Sequence, residues 1–320
     1  MEVLIYHPML RVPSKVVTEA PRLEAFGYSG LVMPDHLYVL DFQSGVPLAY
    51  PHPLPVLSAA AAVTTRMKLM ALVSNNLARG PVELAHQTAT IANLAPGRVE
   101  LALGAGWFAD EHVAAGVGFP SGRERIERLV ETVQICRGLF ASGQVDHRGQ
   151  YYQVSVPAGG FPEVASDVPI MVGAAAPRML AAAARVADRV DLQPDALTGG
   201  GADLNKYNAY TYELLAAGVE RVKSAAATAG REVAVSASPF VFVAADEAEG
   251  AAARRDLAEF VGLDPAVLDV SYGTLIGTAD ELSSKLERYL EAGIDRVHLQ
   301  ALNEEAAERA ACLLPRLLSR

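Results

Sequence analysis

Cysteine and tryptophan are scarce in this chain: two Cys and one Trp in 320 residues. Cys136 and Cys312 are too few for a disulfide framework, and both fall in helical-looking segments. They read as small core hydrophobes of a chain expected in a reducing cytosol. No Cys/His cluster has zinc spacing, so no metal is expected. No run of Lys or Arg occurs, and the net charge is −10. That excludes nucleic acid as a partner, because its phosphates need clustered cations. No stretch of about 20 apolar residues exists, so no membrane association is expected. The N-terminus enters a strand pattern at once, Val3-Leu-Ile-Tyr6, so no secretory leader is expected. A glycine-rich dinucleotide fingerprint is also missing. After the first apolar run stands His7-Pro8-Met9-Leu10 instead.

Apolar residues make up 51% of the chain, ample for a large core. Short apolar runs alternate with longer amphipathic ones. The pattern gives strands at Val3–Tyr6, Gly30–Met33, Lys68–Val73, Arg98–Leu103, Pro169–Val172, Arg189–Leu192, Val233–Val243 and Asp295–Gln300. Helices are expected at Lys15–Phe26, Val82–Leu94, Ser121–Phe140, Pro177–Val186, Asn205–Ala229 and Glu304–Leu318, and another of small residues runs up to Thr64. Capping boxes open at Ser121-Gly-Arg-Glu124 and Thr278-Ala-Asp-Glu281, the latter starting a helix that ends at Gly293. Val145–Val156 reads as a small hairpin. Eight strands each followed by helix point to a parallel α/β sheet, and eight is the number that closes a barrel. The missing fingerprint weighs against a doubly wound open sheet. A (β/α)8 TIM barrel places its active site at the C-terminal strand ends.

Those ends carry the candidate chemistry. His7 follows the first strand, Asp35-His36 the second and Ser74-Asn75-Asn76 the third. The fourth runs into Gly104-Ala-Gly-Trp107, where glycine lets something flat or bulky approach the backbone. Gln193 follows the sixth strand, Ser236 and Ser238 lie along the seventh, and Gln300 ends the eighth. A carboxylate beside an imidazole holds its tautomer and suits proton transfer near neutral pH, so His36, oriented by Asp35, is the expected acid/base, with His7 a further catalytic candidate. The fifth βα unit, Gly173-Ala174-Ala175-Ala176-Pro177-Arg178, leads straight into a helix. Its free N–H groups and Arg178 suit a phosphate.

Several blocks together resemble the bacterial luciferase-like flavin and deazaflavin oxidoreductases. They are Val32-Met-Pro-Asp-His-Leu37, Ala61–Leu69, Pro81–Thr90, Pro96-Gly-Arg-Val99 with Leu103–Trp107, Gly118-Phe-Pro120, Pro169–Gly173, Gly277–Glu281 and His298-Leu-Gln300. The match spans most of the chain, and 199–272 matches loosely. The resemblance implies a single luciferase-like barrel domain over 1–320, with insertions near 37–55, 104–120, 143–166 and 244–276. The Asp-His pair and the Gly-Trp strand end most resemble the branch that uses coenzyme F420. That implies hydride transfer between the deazaflavin and a small organic substrate. An FMN-dependent monooxygenase using O2 is the alternative, and a non-redox barrel enzyme or carrier a third reading. The resemblance further implies cofactor contacts at Asp35, Leu72, Val73, Ser74, Asn75, Gly104, Ala105, Gly106, Trp107, Gly173, Ala174, Ala175, Ala176 and Arg178, with a cis non-prolyl peptide in Leu72-Val73-Ser74. Where some deazaflavin enzymes carry a Glu after the fourth-strand glycines, this chain has Trp107, which leaves His36, His7, Glu111 or His112 to move the proton. Arg79, Arg123, Arg125 and Arg178 are the cations for an acidic coenzyme tail. Phe42, Tyr50, His52 and Trp107 are expected to line the substrate pocket beneath the Pro-rich loop Asp41–Pro55. Leu57–Val63 and Val82–Leu94 are expected to supply the surface of a homodimer.

Overall fold

The computed structural model describes residues 1–6, 12–41, 44–196, 202–301 and 303–318. His7 and Phe42 lie outside the described residues. The first strand, Glu2–Tyr6, pairs in parallel with the second, Gly30–Met33, and with the eighth, Arg296–Ala301. The second pairs with the third, Lys68–Ala71. The third then turns through a cis peptide at Leu72–Val73, and its continuation Ser74–Asn75 pairs with the fourth, Leu101–Gly104. A bridge from Leu69 to Val99 joins the same two strands lower down. The circuit continues through the fifth, Ile170–Ala174, the sixth, Arg189–Leu192, and the seventh, Ala234–Ala237, back to the eighth. The fold is a (β/α)8 barrel with helices outside.

Alternation along each strand sorts side chains between two environments. Val3, Ile5, Val297 and Leu299 face outward into the layer shared with the helices, and all are fully buried. Leu4, Val32, Met70, Ala102 and Met171 face inward and form a separate apolar plug in the bore. Below the plug, Arg296 donates to both carboxylate oxygens of Glu100, at 2.6 and 2.8 Å, and its Nε donates to Glu2 at 2.7 Å. Lys68 completes this charged floor at 2.7 Å from Glu2. The barrel is therefore closed at its N-terminal end, and reactive groups are left to the other mouth.

Several expected elements are shifted. The seventh strand breaks at Ser238-Pro239, since Pro cannot donate to a ladder. Its second half, Phe240–Ala244, stays beside the eighth strand at Phe240 and Val241 and pairs along its other edge with Thr274–Thr278, a strand the sequence pattern did not give. The helix expected over Asn205–Ala229 is two, Leu204–Asn208 and Tyr212–Thr228, parted where the Tyr210 carbonyl accepts from Tyr272 N at 2.6 Å. Glu304–Leu318 is also interrupted, by a 3₁₀ turn at Ala311–Leu313. The capping box at Thr278 forms in full, whereas at Ser121 only half forms. Ser121 Oγ accepts from Glu124 N at 3.2 Å, but the Glu124 carboxylate turns to Arg128. Cys136 is buried, and burial pushes its thiol up to about 12. Cys312 is exposed, contrary to the expected core placement. In the two helices expected between copies, Leu57, Ala60, Ala61, Leu84, Ala85 and Ile91 lie inside this chain's own core, while Leu94 is exposed. No helix among the described residues is long and apolar enough to cross a membrane.

Candidate active site

Asp35 and His36 leave the second strand side by side but turn to different partners. Asp35 is buried and accepts from both terminal nitrogens of Arg79, Nη2 at 2.7 Å, and from Asn75 N at 2.9 Å. Burial works against the charge on Arg79, but the hydrogen bonds and charge of Asp35 outweigh it and raise the Arg79 pKa. Asp35 thus clamps the third-strand end to the second through a bidentate pair. It does not orient His36. That task falls to Glu111, from the short helix Ala109–Ala114. His36 Nδ1 lies 2.9 Å from Glu111 Oε2, and Glu111 Oε1 accepts from Leu37 N. Glu111 is buried and a carboxylate can only accept, so Nδ1 carries the proton and His36 Nε2 is turned free. Nε2 has no partner among the described residues. The Trp107 ring stands edge-on to the imidazole, 5.5 Å between centroids and 77° between planes, and Trp107 stacks on Phe108.

His112, the neighbour of Glu111, has both nitrogens occupied. Asn75 Oδ1 accepts from Leu77 N, so Asn75 Nδ2 is the donor to His112 Nε2 at 3.0 Å. His112 Nδ1 then donates to the Phe108 carbonyl at 2.7 Å. With 1% exposure this ring is a brace between two loops, not a proton donor. At the rim, Tyr6 and Tyr50 place their hydroxyls 3.4 Å apart. His52 is exposed and caps the helix Pro53–Val63 by accepting from Leu54 N. Partial burial of its ring, and then the Arg79 charge, lower the His52 pKa.

The luciferase-like monooxygenase family model matches residues 6–312. The chain belongs to this family. Among curated relatives, the F420-dependent glucose-6-phosphate dehydrogenase of Nakamurella multipartita is 31% identical over 55% of this chain and 51% of its own length. The chain thus spans about half the length of that relative. Among solved structures, an F420-dependent secondary alcohol dehydrogenase holding an F420–acetone adduct superposes with a TM-score of 0.80 at 18% identity, covering 99% of this chain and 98% of the other. A monooxygenase from Streptomyces bottropensis gives 0.76 at 24% identity, covering 100% and 99%. These two likenesses concern the fold.

In this luciferase-like chain the strand-end glycines have local occupants. A Cβ on Gly104 would collide with Val73 Cγ2, and one on Gly173 would stand 3.0 Å from Val73 Cγ1. The close approach that these glycines permit is therefore made by Val73. Gly106 has φ +77°, and a Cβ there would meet His112 Nε2 at 2.8 Å. Leu72, Val73, Ala105 and Trp107 stay half-exposed at the mouth, while Ser74 is buried. In the fifth βα unit, Ala174 is a core strand residue, so its side chain is turned away from the mouth. Ala175 is half-exposed, and Ala176 caps the helix Pro177–Val186. Arg178 in its first turn is exposed and makes no hydrogen bond or ion pair with the described residues. Arg123 and Arg125 are placed otherwise than a tail site needs. Arg123 pairs with Glu127, and Arg125 donates to the Pro120 carbonyl and lies over the Phe119 ring. No group of three or more His, Cys, Asp or Glu among the described residues could hold a metal ion.

Deep in the bore is a cluster whose linkage the strand-end residues alone did not reveal. Asp191 is fully buried and accepts from Ser236 Oγ and Ser238 Oγ, both at 2.8 Å, from Gln193 Nε2, and from His298 Nδ1 at 3.0 Å. Burial opposes its charge, but His298 and the hydroxyls hold its pKa below the usual carboxylate range.

Proposed function

We propose that this chain is a coenzyme F420-dependent oxidoreductase acting on a small organic substrate, with His36 as its acid/base and Glu111 as the residue that holds His36 in position. The observation that carries it is the His36–Glu111 pair beside Trp107 at the barrel mouth. The residues present suit a flat ring with an anionic tail. Leu72, Val73, Ala105 and Trp107 offer half-exposed apolar contact. The N-terminus of Pro177–Val186, with Arg178 unpaired among the described residues, offers N–H groups and a cation to a phosphate. The coenzyme supplies hydride transfer at its ring carbon when bound. The protein supplies orientation and the proton. His36 Nε2 accepts the hydroxyl proton when an alcohol is oxidised and returns it to the carbonyl oxygen in the reverse direction. Glu111 keeps the proton on Nδ1 and so fixes which nitrogen reacts. Trp107 limits water beside the imidazole.

The relatives that carry F420 in their names support the coenzyme, and the monooxygenase among the structural neighbours keeps an oxygen-using monooxygenase as the second reading. The test is turnover of a panel of alcohols and ketones, followed at the visible band of the coenzyme. His36→Gln should slow turnover by about 10² to 10⁴ and leave coenzyme affinity within about twofold. Full turnover by His36→Gln would remove His36 from the mechanism.

A further inference from the structure

The mouth has a second face, opposite the Asp35–His36 side, at the ends of the sixth, seventh and eighth strands. Gln193 and Gln300 are the half-exposed inward residues there, directly above Asp191 and His298. Their amide orientations are fixed by partners that can only accept. Gln300 Nε2 donates to the Ser238 carbonyl at 2.5 Å and lies 3.0 Å from the Tyr207 hydroxyl. Tyr207 in turn donates to the same carbonyl at 2.7 Å, so its oxygen is free to accept from Gln300. Both amide hydrogens of Gln300 are then used, and it can offer a ligand only its carbonyl oxygen. Gln193 Nε2 is held by the Asp191 carboxylate, which leaves one amide hydrogen and the carbonyl oxygen. Neither Oε1 has a partner among the described residues.

The charges around this face point the same way. The described residues that follow these strand ends include the acidic Asp195, Asp203 and Glu304, the last paired with Lys15 at 3.4 Å. The nearest following cation, Lys206, stands 3.9 Å from Asp203. An anion placed here would meet two carbonyl oxygens and a single amide hydrogen above a buried carboxylate. A neutral group with O–H or N–H donors would find two fixed acceptors, already ordered by buried partners.

We propose that Gln193 and Gln300 form the substrate-recognition face, and that it selects an uncharged, hydroxyl-bearing substrate over a phosphate ester. The assignment to substrate rests on the function proposed above, whereas the ligand preference of the face follows from its own donors and acceptors. Selection here would work by setting the charge of a phosphate against two carbonyl oxygens and the carboxylate beneath them.

The test uses cis-1,2-cyclohexanediol and glucose 6-phosphate as probes, with affinity read by ligand-observed NMR on the protein alone and again with F420 present. The diol should bind at least tenfold more tightly than the phosphate ester in both states. Gln193→Met and Gln300→Met should each weaken the diol at least fivefold and leave F420 affinity unchanged. Gln193→Met keeps the test sound should Gln300→Met unfold, because Gln193 supports no other residue than Asp191. Equal or tighter binding of glucose 6-phosphate, undetectable diol binding, or diol affinity unchanged in Gln193→Met would overturn the proposal. Failure of the wild type to bind F420 would overturn the proposed function alone, since the unloaded protein still reports on the face.

Discussion

Replacing Gly104 by Ala tests whether Val73 is what the fourth-strand glycine accommodates. Gly104 is fully buried strand backbone with φ outside the left-handed region, so Ala is allowed there and sterics decide the effect. The added methyl would overlap Val73 Cγ2 and lie 3.4 Å from Val73 Cβ. Val73 is β-branched, with restricted χ1, and its other methyl already lies over Gly173, so rotation does not free the space. Overpacking of this kind costs about 1–3 kcal/mol. Val73→Ala removes two half-buried methyl groups, at about 0.8 kcal/mol per fully buried carbon, so it should cost roughly 1 kcal/mol. If the two residues were independent, the double variant would lose roughly 2–4 kcal/mol. With the clash removed, the double variant should be about as stable as Val73→Ala alone, which is a coupling of about 1–3 kcal/mol. Urea unfolding of the four proteins reads this directly, at constant m. Additive losses would refute the assignment of Val73 to the Gly104 cradle.

Arg79→Ala leaves Asp35 buried with Asn75 N as its remaining donor, and should destabilise the chain by about 3–5 kcal/mol. Arg79→Lys should recover part of that loss, because it keeps the charge but not the fork, and thermal unfolding ranks the three. The chain should also lose stability in acid. Burial pulls the Glu2 pKa up, but Lys68 and Arg296 outweigh it and bring it to about 2. Glu100 and Asp191 are likewise held below their ordinary values despite burial, by Arg296 and by His298. Folded values below unfolded ones give stabilisation that is present above about pH 4.5 and lost as pH falls toward 2. Urea midpoints at pH 7, 4.5 and 3 should be similar for the first two and clearly lower for the third, with a smaller drop in Glu100→Gln.

Much of this layout was legible in the residues, and what was hidden has physical reasons. The strand and helix periods located all eight barrel strands, because alternation against a two-sided core leaves a clear pattern. The strand Thr274–Thr278 was hidden because it is short and abuts the capping box at Thr278. The break in the seventh strand was readable at Pro239, but its consequence, a second sheet partner, was not. Adjacency misled at Asp35-His36. Neighbours on extended chain point to opposite sides, so Asp35 reaches Arg79 while His36 reaches Glu111, 75 residues away in sequence. Glycine at a strand end signalled a close approach without saying of what. The Asp191–His298 cluster was scattered over three strands, and only closure of the barrel brings it together.

Whether the barrel mouth takes the deazaflavin is decided by a fluorescence titration of the protein with oxidised coenzyme F420 and, separately, with FMN. Micromolar or tighter binding of the deazaflavin is expected, with FMN at least tenfold weaker. Tighter binding of FMN would contradict the F420 assignment and favour the oxygen-using monooxygenase reading. Binding of neither ring would leave the barrel without a redox role.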